Sequence, residues 1–170
     1  FWARVPAALF GVGGIVAIYV VGLQLQSRLT GVLAALLLLV NPLYLTHVRR
    51  AMSDSFAECM VIAAVAVALW GSKELWQPRL RCSRWIVLVA AESVLCGLAA
   101  LAKLNGGVAT VIVMGILLAS WLLAVAIRPN AAGPNWLSTP RGLLIPPLAA
   151  LAVGMGSFLV FVALNPFLTA

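Results

Sequence analysis

The sequence predicts an all-α, polytopic transmembrane helical bundle, and two observations lead to this prediction. First, 64% of the 170 residues are hydrophobic and only 9% are charged, and the mean hydropathy is +1.13. A soluble domain usually has about a quarter of its residues charged, because polar side chains must cover its core. Second, the apolar residues form runs of roughly 17 to 22, which is the length that crosses a hydrocarbon layer of about 30 Å as a helix.

Six apolar runs are near this length, and Pro and Gly occur in the segments between them, as is typical of helix ends. Backbone groups in lipid must be hydrogen-bonded within their own segment, and the runs are too long and too continuous for barrel strands. We therefore expect six helical spans. Their predicted bounds are Val5–Leu23, Gly31–Leu45, Ser53–Trp70, Trp85–Ala102, Val108–Ile127 and Leu143–Leu164. Pairs such as Asn41-Pro42 are expected to mark ends or kinks, since proline lacks the amide that a helix interior needs.

The net charge of +7 does not indicate nucleic-acid binding, because the basic residues are scattered between the spans and form no single face. The three cysteines form no CxxC pair, so neither a disulfide framework nor a zinc site is indicated. The chain begins at Phe1 and shows no signal peptide. We expect it to be one part, residues 1–170, of a larger transmembrane domain.

The loops between the expected spans differ in their content of Lys and Arg. One set of alternate loops carries seven of these residues, and the other set carries four, namely Arg4, Arg49, Arg50 and Lys103. The positive-inside rule predicts that the side with seven is cytoplasmic. The four basic residues then lie on the outer side, where they are less expected, and so they require another explanation.

Ionisable side chains are concentrated between the second and third apolar runs. If residues 46–58 are largely helical, spacings of 3, 4 and 4 residues place four of these side chains on one face. These four are His47, Arg50, Asp54 and Glu58. A stripe of this composition at a membrane surface could hold an anionic headgroup or a divalent metal ion.

Simpler interpretations of the same residues stay open. Asp54 could cap the third helix, and Glu58 would favour the positive end of that helix. Arg49 and Arg50 could anchor to lipid headgroups, and His47 could be an ordinary interfacial residue. A lysine at a span end, such as Lys103, commonly extends its ammonium group to the interface.

Glu92 lies inside the fourth run, where a charged side chain costs about 2.5 to 3.5 kcal/mol on insertion scales. We therefore expect it to face other helices and not the lipid. The Asn105-Gly106-Gly107 segment that follows Lys103 suits a tight turn between two helices.

The order of several short segments resembles the membrane core of the protein mannosyltransferase and aminoarabinose transferase superfamily, the GT-C glycosyltransferases. These segments are RVPAALFG at 4–11, GVLAALLLLVNP at 31–42, HVRRAMSD at 47–54, GLAALAK at 97–103 and NPFL at 165–168. The resemblance covers essentially the whole chain. It implies a polyprenyl-phosphate or dolichyl-phosphate sugar donor in the bilayer, used on the outer face of a plasma membrane or in the ER lumen. Of these two locations, we favour the plasma membrane of a prokaryote.

The resemblance also implies roles for individual residues. Asp54 matches the second external acidic position of the family and would orient the acceptor, the donor phosphate or a metal. The cations Arg49, Arg50 and Lys103, together with Arg4 and His47, would bind the donor phosphate. The principal catalytic base of the family belongs to an external loop upstream of Arg4, and no such motif is present in this sequence. We therefore expect this part of the protein to be inactive alone.

Two other function classes remain as alternatives to a glycosyltransferase. In a transporter or flippase, Glu92 and the outer charges would line a pathway, and paired half-helices would break near the bilayer midplane. Pro146-Pro147 is the one sequence feature that suggests such a break. A non-catalytic membrane subunit is the second alternative.

Overall fold

The computed structural model describes residues 4–49, 53–77, 82–127 and 140–165. Every regular element within these residues is helical, which confirms the all-α prediction. The elements are α1 (Arg4–Leu25), α2 (Arg28–Leu39), α3 (Pro42–Arg49), α4 (Ser53–Glu74), α5 (Cys82–Ala102), a 3-10 turn (Leu104–Gly107), α6 (Val108–Ala126) and α7 (Pro140–Leu164). In the described part of the chain, five helices are long and apolar enough to cross a membrane, and α2 with α3 forms a sixth span if the two are counted together.

The second predicted span is broken. A single helix over Gly31–Leu45 was wrong, because α2 and α3 meet at an angle of 67°. Pro42 lacks an amide and begins α3, where its missing N–H leaves no helical bond unmade. Asn41 caps the new helix, because its side-chain oxygen accepts the backbone N–H groups of Leu43 at 3.0 Å and Tyr44 at 3.3 Å. The Asn-Pro pair thus ends one helix and starts another.

Glycines in α1 allow α3 to lie close against it. The hydroxyl group of Tyr44 donates a hydrogen bond to the backbone carbonyl of Gly11. A Cβ atom at Gly11 would lie 2.7 Å from a methyl group of Val48, and one at Gly14 would overlap the Tyr44 hydroxyl. Close approach of helix backbones at small residues is typical of membrane proteins. The position of α3 therefore depends on the absence of side chains on this face of α1.

Ion pairs at both ends of the α4–α5 hairpin show that these two helices are antiparallel. Arg84 contacts Glu74 at 3.1 Å at one end, and Lys103 contacts Asp54 at 2.6 Å at the other. We call the second of these the site end of the bundle. Because His47 of α3 contacts Glu58 in the second turn of α4, α3 lies at the same end.

Small side chains predominate in the interior, and many large apolar side chains face outward. Ala64, Ala68, Cys96 and Ala99 are completely buried where α4 and α5 meet their neighbours. In contrast, many leucine, valine and methionine side chains are exposed, among them Leu37 at 70%, Val111 at 70% and Met155 at 69%. A surface of this kind is stable in lipid, where small residues let helices approach and large apolar ones contact acyl chains. The chain is therefore an integral, multi-pass membrane protein.

Glu92 is buried between helices, as predicted. The residue is 1% exposed in the middle of α5. An added Cβ at Gly71 of α4 would lie 3.6 Å from both the Glu92 Oε1 atom and a methyl group of Leu117 in α6. Within the described residues, neither carboxyl oxygen of Glu92 has a hydrogen-bond partner. The carboxyl group is therefore enclosed at the junction of three helices.

We expect Glu92→Leu to raise the midpoint of thermal unfolding of the full-length protein in detergent. A buried polar group without a partner costs about 1–3 kcal/mol, and leucine has a similar size. The matched control is Glu74→Leu, which removes a carboxylate that contacts Arg84 and should give no such increase. A lower midpoint for Glu92→Leu would mean that the carboxyl group has a partner beyond the described residues.

Candidate functional site

A cavity of about 470 Å³ opens at the site end of the bundle, within the size range of small-molecule sites. We call it the site cavity. The α2–α3 corner, the first turns of α4 and the turn after α5 form its walls. Its ionisable and hydrogen-bonding side chains are those of Asn41, Tyr44, His47, Asp54, Glu58, Lys103 and Asn105, and apolar residues such as Val61 and Ile62 complete the lining.

Asp54 and Lys103 form an ion pair in this cavity. The Lys103 Nζ atom donates to the Asp54 Oδ1 atom at 2.6 Å, although 49 positions separate the two residues in the sequence. Asp54 is in the first turn of α4, where the positive helix end favours a carboxylate. Its side chain is 17% exposed, whereas that of Lys103 is 50% exposed. The ammonium group can therefore hold Asp54 and still meet an anion that enters the cavity.

The backbone around Lys103 explains how its side chain is positioned. The Lys103 N–H group donates to the carbonyl of Ala99 at 3.2 Å and closes the last turn of α5. The Lys103 backbone is then extended, with φ −157° and ψ 133°, so the chain leaves the helix at this residue. The Gly106 N–H group donates to the carbonyl of Lys103 at 2.6 Å, which closes the 3-10 turn. Gly106 is buried against α5, as the predicted tight turn requires.

His47 and Glu58 form a second pair in the same cavity. The His47 Nδ1 atom lies 2.6 Å from the Glu58 Oε1 atom, and the two side chains are 31% and 35% exposed. In one continuous helix, residues 11 apart would be separated by about 16 Å along the axis. The continuous stripe over residues 46–58 was therefore wrong. The two side chains meet because α3 ends at Arg49, α4 begins at Ser53 and the two helices pack together.

The other basic residues of the predicted site are Arg49, Arg50 and Arg4. Arg49 is the last residue of α3, and Arg50 lies outside the described residues. Arg4 is the first residue of α1 and is not among the described residues that line the site cavity. Of the residues that the sequence singled out for a site, the structure therefore brings together His47, Asp54, Glu58 and Lys103.

Tyr44 and Asn41 also line the cavity and were missed from the sequence. The signal for Tyr44 was its position three residues before His47, which places both on one face of a helix. The signal for Asn41 was its place before Pro42, which is typical of a helix start.

The described residues contain no group of three or more His, Cys, Asp or Glu side chains close enough to hold a metal ion. His47 is paired with Glu58, and Asp54 is paired with Lys103. These four side chains thus form two separate pairs.

A second cavity, about 320 Å³ in volume, lies between α1 and α2. We call it the apolar groove. It is lined by Ile15, Val16 and Tyr19 of α1 and by Val32, Ala35, Leu36 and Leu39 of α2. The last turn of α2 also supplies Leu38 to the site cavity. The groove and the site cavity are therefore adjacent along one helix.

The family model described as "Dolichyl-phosphate-mannose-protein mannosyltransferase" matches residues 1–140 of this chain. The match includes every described residue that lines the site cavity and the apolar groove. No curated protein and no solved structure matches the chain.

Proposed function

Because the chain belongs to the dolichyl-phosphate-mannose-protein mannosyltransferase family, we propose that it takes a sugar from a polyprenyl-phosphate or dolichyl-phosphate donor. Membership in this family makes it a membrane glycosyltransferase of the GT-C type. We propose further that the sugar is transferred to a protein, lipid or glycan acceptor, and that the site faces the outer or lumenal side. The membrane we propose is the plasma membrane of a prokaryote.

The observation that supports the proposal best is the half-exposed side chain of Lys103 in the site cavity, with its ammonium group held by Asp54. The leaving group of such a transfer is a lipid phosphate, and a fixed cation stabilises the charge that develops as the glycosidic bond breaks. We propose that Lys103 binds the donor phosphate and that Asp54, at 2.6 Å from the Lys103 ammonium group, orients that group. Arg49 and Arg50 follow His47 closely in the sequence and would add positive charge at the site end, and Arg4 would do so from the start of α1.

The apolar groove supports a lipid-linked donor for a separate reason. An isoprenoid chain has no polar atoms, and the seven described residues that line the groove are apolar apart from the Tyr19 hydroxyl group. The groove lies beside the site cavity, so a donor could place its phosphate near Lys103 and its lipid along α2. A soluble sugar nucleotide has no lipid chain that could occupy such a groove.

The same features give less support to a transporter. Glu92 is enclosed between α4, α5 and α6 and is absent from the described lining of the site cavity. Pro146-Pro147 does not break α7, which continues from Pro140 to Leu164. Within the described residues, α2 and α3 form the one broken pair, whereas an inverted-repeat transporter has two.

A direct assay separates these functions. Proteoliposomes of the full-length protein would receive polyprenyl-phosphate mannose labelled in the sugar, together with a native membrane extract as acceptor. We expect the label to move to an acceptor and free polyprenyl phosphate to be released. Movement of intact donor across the bilayer without release would instead identify a flippase. If neither transfer nor movement of the donor is observed, the proposed donor is refuted.

We expect Ala35→Trp to raise the KM for a long-chain polyprenyl-phosphate donor about tenfold. The indole ring would fill the apolar groove, and loss of one or two buried isoprenoid methylenes costs about 0.8 kcal/mol each. A donor with a short, ten-carbon chain should be affected much less. The matched control is Leu37→Trp on the same helix, because Leu37 is 70% exposed and does not line the groove. Equal KM values for Ala35→Trp and Leu37→Trp would show that the groove does not hold the donor.

A further inference from the structure

We propose that Glu58 is a positioning residue that fixes the tautomer of His47, and that His47 thereby recognises one hydroxyl group of the donor sugar. This inference rests on the proposed function, because it concerns the sugar of the same lipid-linked donor. It assigns to Glu58 and His47 a part in sugar selection, while Lys103 and Asp54 act on the phosphate.

The contact between the two side chains determines which imidazole nitrogen is available to a ligand. The His47 Nδ1 atom lies 2.6 Å from the Glu58 Oε1 atom. An ionised carboxylate only accepts hydrogen bonds, so the Nδ1 atom carries the proton that is donated. In a neutral imidazole, the Nε2 atom then has a lone pair and acts as an acceptor. Glu58 thus sets the hydrogen-bonding character of the opposite edge of the ring.

Both residues line the site cavity, and the His47 side chain is 31% exposed. Glu58 is held in place by α4, and its second oxygen is buried. The packing therefore restricts the carboxylate, and the carboxylate restricts the ring. A ligand in the cavity can reach the ring without displacing Glu58.

Four other polar side chains of the cavity make hydrogen bonds within the protein. The Tyr44 hydroxyl group donates to the carbonyl of Gly11, and the Asn41 side-chain oxygen accepts two backbone N–H groups of α3. Lys103 is paired with Asp54. The Nε2 atom of His47 is not used in any of these contacts, so we assign it as an acceptor for a bound sugar.

The chemistry of an unprotonated Nε2 atom selects the kind of group it binds. Phosphate oxygens are themselves acceptors, so they suit the ammonium group of Lys103 and not this nitrogen. A sugar hydroxyl group can donate to it. Asp54 and Glu58 are one turn apart on α4, which puts their Cβ atoms about 6 Å apart. The two pairs would therefore contact neighbouring parts of one sugar phosphate.

The test uses the full-length enzyme in proteoliposomes with polyprenyl-phosphate mannose and with analogues that each lack one sugar hydroxyl group. We expect one analogue to have a kcat/KM about tenfold below that of the parent donor, as is typical for the loss of one hydrogen bond. We call this analogue the sensitive analogue. In His47→Phe, the kcat/KM for the parent donor should fall by the same factor, and the kcat/KM for the sensitive analogue should fall no further. This non-additivity would identify the hydroxyl group that His47 binds.

Glu58→Gln tests the positioning role with little change in size. The glutamine amide can donate to Nδ1 as well as accept from it, so the Nε2 atom is no longer fixed as an acceptor. We expect discrimination between the parent donor and the sensitive analogue to fall by at least half, while turnover of that analogue is retained. Glu74→Gln, at the opposite end of α4, should leave the discrimination unchanged.

Three results would overturn the inference. One is an equal loss for the parent donor and all the analogues in His47→Phe. Another is a Glu58→Gln variant that discriminates between the parent donor and the sensitive analogue as well as the wild type does. If His47→Phe shows no turnover, the Glu58→Gln result alone decides the test. The third is a wild-type enzyme that uses every analogue as well as the parent donor. By contrast, a wild-type enzyme that turns over none of these donors would refute the proposed function itself, and the inference with it.

Discussion

Substitution of Asp54 by asparagine is expected to lower the kcat of sugar transfer about 10- to 100-fold without loss of membrane insertion. The substitution removes the charge that holds the Lys103 ammonium group at 2.6 Å, and hydrogen bonds to charged groups contribute about 1.5–3 kcal/mol. The freed ammonium group can still attract the donor phosphate, so the KM for the donor should stay level or fall. Steady-state kinetics of the full-length enzyme, with a separate measurement of membrane insertion, would test both expectations.

Asparagine also separates the site role of Asp54 from its role at the start of α4. Asparagine keeps the size of aspartate and removes only its charge, which contributes about 0.3–1 kcal/mol in the first turn of a helix. A purely structural Asp54 therefore predicts a small loss of stability and nearly unchanged transfer. A double substitution provides the control. If Asp54 acts through Lys103, Asp54→Asn should cost little in a Lys103→Gln background, because residues that act as a unit are not additive. Additive losses would show that the two side chains act independently.

Gly106→Ala is expected to disrupt the site more than any conservative change elsewhere in the cavity. A Cβ atom at Gly106 would overlap the backbone carbonyl of Ala99, and backbone atoms cannot move aside as a flexible side chain can. The same carbonyl accepts the Lys103 N–H group, so relief of the overlap would displace Lys103. We expect a loss of about 1–3 kcal/mol in stability, as for other overpacked sites, and a larger proportional loss of transfer. Thermal unfolding and transfer assays on the same preparation would measure both.

Gly107→Ala is the matched control for this prediction. A Cβ atom at Gly107 would meet no other atom within 4 Å, and the residue has φ −59°, which any amino acid adopts. Because alanine favours helix over glycine by up to about 1 kcal/mol, this variant should be as stable as the wild type or slightly more stable. Similar behaviour of the two variants would mean that the contact of Gly106 with Ala99 does not hold Lys103 in place.

Apolar runs predicted the helices well, because a span in lipid needs length and apolar composition and little else. The exception is the α2–α3 break. Asn41-Pro42 predicted an end or a kink, but sequence alone could not decide between a kink inside one helix and the start of a second. The contact of Tyr44 with the carbonyl of Gly11 draws α3 against α1, and this tertiary contact is not visible in the local sequence.

The site was predicted in part, and partly for the wrong reason. Periodicity placed His47, Asp54 and Glu58 on one helical face, whereas the structure joins them across two helices. The pairing of Asp54 with Lys103 spans 49 positions, so it depends on the packing of α4 against α5 and cannot be read from spacing. The family resemblance selected Asp54 and Lys103 without this geometry. It compares the order of motifs along the whole chain, whereas helical periodicity relates only residues within one helix.

The ion pairs at the two ends of the α4–α5 hairpin also relate the protein to the thickness of its membrane. Asp54 and Glu74 are 20 residues apart in one helix, which corresponds to about 30 Å, close to the thickness of a typical hydrocarbon core. A slide of α4 along α5 to match a thicker bilayer would break both pairs at once. Lipid around the hairpin would therefore have to adjust to the protein, and a donor phosphate would reach the depth of Lys103 most easily in a membrane of matching thickness.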